Sequence, residues 1–335
     1  LFVLFATMFP TITEAISGTS SSNAKFIGNK MSAIAWNGTD LYLGGFNNGN
    51  AGVTGIAKVS NALGAHSIGN AFGQVTTGNS LGMSQMAIKG NTLVAGLDLQ
   101  AGSGDSVRAF NVNDDSLRWR IGTSAADSTR RGSAVSFDGD NVAYLSVGSG
   151  RRHRLDATTG TYLNGQNAGA IINLPPGATT WRGVTFDSNG DMYSRESNRI
   201  GKHVRTGDNT FSPNTVLFAP GSVNTSVLQG IELVNSTTDG KFLVFNDRPN
   251  STAGQDFFNV IKAADLNGVL QTIDFQGFNP LGTGAGAYSF SFDAATQTLA
   301  LGDFANNAVY IFQIPTPSGV AALGLAGLLA ARRRR

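Results

Sequence analysis

The sequence predicts an all-β fold, specifically a six-bladed β-propeller with a secretory signal at its start and a short hydrophobic helix at its end. Two observations favour strands: only 14% of the residues are charged, and 43 of the 335 residues are glycine. This composition is typical of many short strands joined by tight turns, and it disfavours amphipathic helices. A third observation, a phrase that recurs about every 50 residues, predicts the number of blades.

The recurring phrase consists of two alternating apolar segments around a turn rich in Asp, Asn and Gly. Its six copies are MSAIAWNGTDLYLGG, SQMAIKGNTLVAG, GSAVSFDGDNVAYLS, RGVTFDSNGDMYS, QGIELVNSTTDGKFLVF and YSFSFDAATQTLALGDF. The apolar residue before each turn is an anchor of the repeat, and the anchors are Trp36, Ile88, Phe137, Phe186, Leu233 and Phe292. They are spaced by 52, 49, 49, 47 and 59 residues. A repeat of this length corresponds to one four-stranded blade.

The predicted propeller spans residues 24–314, and the turns within the copies support it. Asn37-Gly38, Asp138-Gly139 and Asn189–Asp191 provide residues that accept positive φ, as tight hairpins require. We expect Ala24–Ile27 to close the ring as an extra strand beside the last blade, because closure removes free edges. A pair of β-sandwiches is the first alternative. A parallel β-helix is the second, although its rungs would repeat about every 20 to 25 residues.

Weaker strand pairs follow two of the hairpins. They are SVRAFNVNDDSLRWRIG at residues 106–122 and RHRLDATTGTYLNG at residues 152–165. These segments resemble the outer strands of quinoprotein-type propeller repeats, which carry an LDxxTG pattern. The resemblance implies propeller blades and raises a quinoprotein dehydrogenase as one functional alternative. The chain lacks the vicinal cysteines that many of these enzymes use, and six blades are fewer than their usual eight.

Composition and missing motifs exclude several functional classes. Of the 24 basic residues four are the terminal arginines, which leaves 20 against 22 acidic residues, so no nucleic-acid partner is expected. The absence of cysteine excludes disulfides, thiolate metal sites and cysteine nucleophiles. Neither a G-x-S-x-G elbow nor a G-x-x-x-x-G-K-[ST] phosphate loop occurs. We therefore expect no cofactor, and a binding or structural role rather than catalysis.

A ligand site is predicted at one mouth of the central channel, where one position of every repeat would form a ring. The residues four before each anchor are all polar: Ser32, Ser84, Ser133, Arg182, Gln229 and Tyr288. Neighbouring residues that could join this mouth are Gln85, Arg131, Trp181 and Glu232. Aromatic, carboxylate and guanidinium groups together suit a polar ligand such as a sugar or a carboxylate. The plainer interpretation is that a channel entrance is polar because it is wet.

Metal binding is weakly supported by the sequence. Asp187–Asp191 resembles the opening of a calcium loop, but the twelfth position is Asn198 instead of Glu, so we expect a hairpin turn. His66 and His203 are scattered, and His153 within RRHR predicts a solvated outer strand. Six-bladed lactonases hold calcium in the channel with Glu, Asn and Asp, and the set Glu232, Asn246 and Asp247 resembles theirs. A calcium-dependent propeller hydrolase or lactonase is therefore the enzymatic alternative.

The first residues, LFVLFATMFPTITEA at 1–15, have the composition of a secretory signal. The apolar run leads to Thr13-Glu14-Ala15, a small-x-small pattern that suits signal peptidase. No basic residue precedes the run, so we interpret the signal as truncated. The alternative is a buried first strand.

The last residues, 315–335, combine three features in a fixed order. Pro315 and Pro317 keep the lead-in extended because proline fixes φ and lacks an amide donor. The apolar run 320–331 follows, and its 12 residues are fewer than the roughly 20 that a membrane-spanning helix needs. The positive-inside bias would then hold the end of the chain in the cytoplasm through four arginines, which are Arg332, Arg333, Arg334 and Arg335.

This order resembles the PEP-CTERM sorting signal, with Pro315-Thr316-Pro317 in place of Pro-Glu-Pro. The resemblance implies that an exosortase recognises the tail, and that the C-terminal helix anchors the protein briefly in the inner membrane. It also implies a final location at the cell surface, in the envelope or outside the cell. Envelope polysaccharide and other surface proteins are the further partners that we expect.

Overall fold

The described part of the chain is built from β-strands. The structure is a computed structural model, and it describes residues 3–8, 27–47, 52–77, 82–98, 106–122, 131–147, 151–163, 170–171, 181–196, 199–208, 210–213, 215–218, 230–237, 240–247, 260–275, 288–304 and 307–314. These residues form 27 strands and no helix, which confirms the all-β prediction. Accordingly, no helix able to cross a bilayer occurs in these ranges, and the predicted C-terminal helix lies outside them.

The first strand is β1 (Val3–Met8), and we call the described strands that accompany each copy of the recurring phrase a unit. Units 1 and 2 share one sheet, and units 5 and 6 share another. Unit 1 contains β2 (Lys30–Trp36), β3 (Leu41–Phe46), β4 (Gly52–Ser60), β5 (Ser67–Ile68) and β6 (Phe72–Thr77). Unit 2 contains β7 (Gly82–Lys89), β8 (Thr92–Asp98), β9 (Val107–Asn111) and β10 (Leu117–Ile121). Unit 3 contains β11 (Arg131–Asp138), β12 (Asn141–Val147), β13 (Arg151–Asp156) and β14 (Ala170–Ile171).

The second half of the chain repeats this order. Unit 4 contains β15 (Trp181–Phe186), β16 (Met192–Glu196), β17 (Ile200–His203) and β20 (Thr215–Phe218), with the hairpin of β18 (Arg205–Gly207) and β19 (Thr210–Phe211) inserted before its last strand. Unit 5 contains β21 (Ile231–Ser236), β22 (Gly240–Asp247), β23 (Val260–Asp265) and β24 (Leu270–Phe275). Unit 6 contains β25 (Tyr288–Asp293), β26 (Thr298–Asp303) and β27 (Ala308–Gln313).

Each copy of the sequence phrase forms the hairpin that was predicted. The first two strands of every unit pair antiparallel, and the anchors all lie on the first strand. Gly38 and Gly139 occupy the turns with φ of +86° and +62°, which L side chains rarely adopt. The turn at residues 187–191 is also a hairpin turn, because the Asp187 carboxylate accepts bonds from the amides of Asn189 (2.9 Å) and Asp191 (3.0 Å).

The first strands of the units surround a common axis, and we call them the inner strands. β2 contacts β7, β7 contacts β11, β11 contacts β15, β15 contacts β21, β21 contacts β25, and β25 contacts β2. Sheets arranged around an axis in this way are propeller-like. The described strands form several separate sheets and not one closed sheet.

The core is divided into layers between consecutive units, and we call each layer a seam. Both faces of an inner strand are buried: Ile34 and Trp36 face the seam with unit 6, whereas Ala33 and Ala35 face the seam with unit 2. The same division holds around the molecule, since each of the six apolar clusters contains residues of two consecutive units. Successive side chains of a strand point to opposite faces, so alternation along the sequence builds two seams at once.

A segment other than the expected closing strand pairs with the last unit. β1 lies antiparallel to β27 and parallel to β24, and therefore joins units 5 and 6. Of the expected segment, residues 24–26 lie outside the described ranges. Ile27 packs in unit 1, where its carbonyl accepts a hydrogen bond from the Gly55 amide at 2.9 Å. Closure of the ring by residues 24–27 therefore stays a prediction, although Ile27 itself belongs to the cluster between units 1 and 6.

Candidate binding site in the central channel

The predicted mouth position coincides with a bulge in the inner strands. In β2 and β7 the pairing register shifts around Ser32 and Ser84, and similar shifts occur in β11 and β15. A bulge leaves one residue unpaired and redirects its side chain. The buried Ser32 hydroxyl donates towards the carbonyls of Gly44 and Met83, and the Ser84 hydroxyl donates to the Gly96 carbonyl at 3.4 Å. These two serines therefore satisfy backbone groups around the bulge.

The other predicted mouth residues are only partly described. The backbones of Ser133, Trp181, Arg182 and Tyr288 lie in the inner strands β11, β15 and β25, but their side chains lie outside the described set. The same is true of Arg131 in β11, and Gln229 lies outside the described residues altogether. The sorting residues 315–335 also lie outside them. Ligand binding at this ring stays a prediction.

A cavity of about 160 Å³ lies on the axis, further along the inner strands. It is lined by five of the six inner strands, and its exposed walls are mainly polar. Its lining residues are Gln85, Met86, Ala87, Ile88, Ser136, Phe137, Thr185, Phe186, Glu232, Leu233, Ser291 and Phe292. The repeat position of Glu232 is three residues beyond the predicted ring, which is about 10 Å along a strand that rises about 3.3 Å per residue.

Two polar groups of this lining serve the backbone of the inner strands. Inner strands leave one edge facing the axis, so their amides need partners other than a further strand. The Ser291 hydroxyl accepts a bond from the Trp36 amide of the next unit at 2.9 Å. Gln85 spans two units, because its side-chain oxygen accepts from the amides of Val135 and Val184, both at 3.1 Å, and its nitrogen donates to the Val184 carbonyl at 2.9 Å. These contacts give part of the polar lining a structural role.

Glu232 is the acidic residue of the described lining. Its side chain is partly exposed to the cavity but is otherwise surrounded by protein. Burial raises the pKa of the carboxyl to about 8, although hydrogen bonds from the Leu233 amide and the Thr185 hydroxyl act in the opposite direction. At neutral pH this carboxyl is mainly protonated, and it can donate as well as accept a hydrogen bond.

Gln85 and Glu232 were predicted from the sequence to join the channel mouth. The ring of repeat positions to which Glu232 belongs was not predicted. The residues immediately before the six anchors are Ala35, Ala87, Ser136, Thr185, Glu232 and Ser291. Four of the six are polar, and all four line the cavity. The repeat alignment contained these polar residues at the position one residue before each anchor, whereas the predicted ring used the position four residues before it.

The second polar cluster lies in the seam between units 3 and 4. Asp138 pairs with Arg152 and Arg205, and with the Nε atom of Arg154 at 3.1 Å. The Arg152 guanidinium lies between the rings of Phe186 (5.1 Å) and Phe211 (4.6 Å). Burial above all, and then the neighbouring guanidinium groups, lower the pKa of Arg152 against the opposing effect of Asp138.

Our prediction of a solvated outer strand at RRHR is therefore wrong. Arg152 and His153 are each 1% exposed, and the His153 ring stacks on Tyr144 with 4.7 Å between centroids. The adjacent unit covers the strand, which sequence alone could not reveal. Burial likewise lowers the pKa of His203 to about 3, and Ser194 contacts its ring at 3.2 Å. Within the described ranges no three His, Asp or Glu side chains gather into a metal-binding group.

Comparison with known proteins supports the fold alone. No protein-family model matches the chain, and no curated protein matches it. Among solved structures, an auxiliary nutrient binding protein from Bacteroides ovatus has a TM-score of 0.58 at 13% identity, and that from Bacteroides thetaiotaomicron has 0.57 at 12%. Both matches cover 84% of this chain and 68% of the other.

A proposed 6-phosphogluconolactonase from Bacteroides uniformis has a TM-score of 0.50 at 14% identity, over 81% of this chain and 77% of the other. At these identities a match describes the path of the backbone and not the chemistry of a site. The chain therefore has an all-β, propeller-like fold that solved proteins share.

Proposed function

We propose that the chain is an exported, six-bladed propeller that binds a small polar molecule in its central channel. The observation that carries this proposal is the axial cavity, into which five inner strands direct side chains. Pockets at the centre of a ring-shaped fold are common ligand sites because groups from many strands converge there. In this proposal the six units are the six blades, and binding is the task of the protein.

The size of the cavity limits the ligand. A cavity of about 150 Å³ in another protein accommodates one benzene molecule. The cavity of about 160 Å³ therefore suits one molecule of ring size, or the terminal residue of a longer chain. Envelope polysaccharide remains a partner in this proposal, but through the end of a chain.

Binding can be tested by measuring thermal stabilisation of the purified protein with a panel of monosaccharides and small polar molecules. Ser136→Phe would fill the cavity from β11, and we expect it to abolish the stabilisation by any molecule that the wild type binds. Ser67→Phe is the matched control because Ser67 is exposed on β5, outside the lining. A ligand that stabilises the wild type and Ser136→Phe equally would contradict the channel as the site.

The export part of the proposal is supported by the sequence of the two ends. Residues 1–15 would direct secretion, and their cleavage would remove β1 (Val3–Met8) from between β24 and β27, whereas a retained β1 would fit the alternative of a first strand. Residues 315–335 would hold the protein at the inner membrane until an exosortase processes the tail. The mature protein would then reside at the cell surface or in the extracellular polysaccharide. Intact mass of the protein recovered from cells tests both ends, since an unprocessed mass would contradict sorting by cleavage.

A calcium-dependent hydrolase or lactonase is the second candidate. The observation that favours it is the Glu232 carboxyl within the cavity. Asn246 and Asp247 lie at the end of β22, and their side chains are outside the described set. One calcium ion per chain in the purified protein, lost in Glu232→Gln together with lactone hydrolysis, would support this candidate. A metal-free protein without lactone turnover would eliminate it.

A further inference from the structure

The lining of the axial cavity combines one carboxyl group with neutral polar groups. Glu232 is the acidic residue of the described lining, which contains no lysine or arginine. The remaining polar members are neutral hydroxyl and amide groups. An acid surrounded by neutral groups lacks a counter-charge of its own.

The charged residues whose side chains are described on the strands around β21 do not supply this counter-charge. Lys241 on β22 donates to the Ser188 hydroxyl at 2.6 Å, and Asp293 at the end of β25 accepts from the Thr296 amide at 2.7 Å in its own turn. Arg195 is buried on β16, and Asp187 follows β15 in the turn already described. None of these four residues belongs to the described lining of the cavity.

A ligand can provide the missing charge. Desolvating a carboxylate without a partner is costly, whereas an ammonium group beside it restores the balance. An anionic ligand would find no cationic side chain in the described lining.

We propose that the cavity binds a small organic ammonium ion, with Glu232 as its counter-ion. This inference rests on the proposed function of the channel and specifies the class of ligand. It requires that Glu232 loses its proton when the cation binds. The free carboxyl is mainly protonated below pH 8, so binding should release close to one proton per ligand at pH 7 and strengthen about tenfold per pH unit from pH 5 to 7.

The probes are choline, which is permanently charged, and 3,3-dimethyl-1-butanol, its uncharged carbon isostere. Titration calorimetry of the full chain in buffers of different ionisation enthalpy measures affinity and proton release together. We expect choline to bind, to release protons and to bind more tightly as pH rises. The isostere should bind at least about 30-fold more weakly, because it cannot pair with the carboxylate.

Glu232→Gln tests the residue directly, since it keeps the shape of the protonated acid. It should weaken choline binding by about 30-fold or more and remove the pH dependence. Asp140→Asn, an exposed carboxylate outside the lining, is the matched control and should change neither. The pH dependence of choline binding is measured on the wild type. It therefore tests the proposal even if Glu232→Gln fails to fold.

The outcomes separate this inference from the proposed function. Equal binding of choline and its isostere, or binding of choline without proton release, would overturn the ammonium class while leaving a channel ligand in place. The ammonium class would also be overturned if choline failed to bind while a neutral sugar bound to the wild type and not to Ser136→Phe. The channel would then remain the ligand site. Choline binding that Ser136→Phe leaves unchanged would contradict the channel as the site, and both proposals would then fall.

Discussion

Two seams of the same ring are built by different chemistry. The seam between units 6 and 1 contains twelve buried apolar residues in its cluster, whereas the described cluster between units 3 and 4 contains five. The first seam is completed by neutral hydrogen bonds, such as that from the Trp36 indole to the Thr298 hydroxyl at 2.7 Å. The second is completed by Asp138 and its three arginines.

The difference shows that the repeat specifies where the strands of each unit lie, but not whether the residues between two units are apolar or charged. A neutral seam is held by apolar area and by hydrogen bonds, each of which contributes modestly. The charged seam depends on one carboxylate, because buried guanidinium groups repel one another without it. The charged seam should therefore be the more sensitive of the two to a single substitution.

Asp138→Asn should have the largest effect. It keeps the volume of the side chain but leaves three guanidinium groups without their shared carboxylate, so we expect the free energy of unfolding to fall by about 3–5 kcal/mol. Urea unfolding measures the change. Asp140→Asn is the matched control, because Asp140 is two residues away and fully exposed, and it should be unchanged. A small effect of Asp138→Asn would remove the contrast between the seams.

Gln85→Ala tests the uncharged hydrogen bonds that connect units 3 and 4 on the channel side. It removes three hydrogen bonds and leaves the amides of Val135 and Val184 without that acceptor, so a loss of about 3 kcal/mol is expected in urea. The exposed Gln74 provides the comparison, and Gln74→Ala should leave stability unchanged. If both variants behave alike, Gln85 does not join these units.

Thr298→Val tests the neutral seam at nearly constant volume. The buried Trp36 indole loses its acceptor, and the expected loss of stability is about 1–2 kcal/mol. The exposed Thr206 is the control position, and Thr206→Val should cost less. A loss as large as that of Asp138→Asn would mean that the neutral seam is equally fragile.

A pH series tests the carboxyl group on the channel side of the ring. The pKa of Glu232 is raised from 4.5 to about 8 in the folded protein, so the folded state binds the proton more tightly than the unfolded state. The corresponding stability is complete below pH 4.5 and is lost as pH rises towards 8. Glu232→Gln should flatten this part of the curve in thermal unfolding at several pH values. An equal slope in the variant would assign the pH dependence to other groups.

Much of the local structure was predictable from the sequence. The alternation in YSFSFD and TLALGD, the turns at Gly38 and Gly139, and the spacing of the anchors all depend on residues close together in the chain. Strand pairing within a hairpin follows from such local patterns, because the turn fixes the register. The six hairpins and the all-β class were accordingly found in the right places.

The contacts between units could not be predicted in the same way. Arg152 and His153 resemble solvated residues in the sequence, but unit 4 and its inserted hairpin cover Arg152, and the rings of Tyr144 and Tyr162 cover His153. Ser291 and Gln85 likewise acquire their partners from units about 50 to 250 residues away in the chain. A residue's environment on the face of a sheet is set by the neighbour that covers it, and that neighbour is distant in sequence. The strands are thus specified locally, whereas the cavity and the charged seam arise when the units assemble.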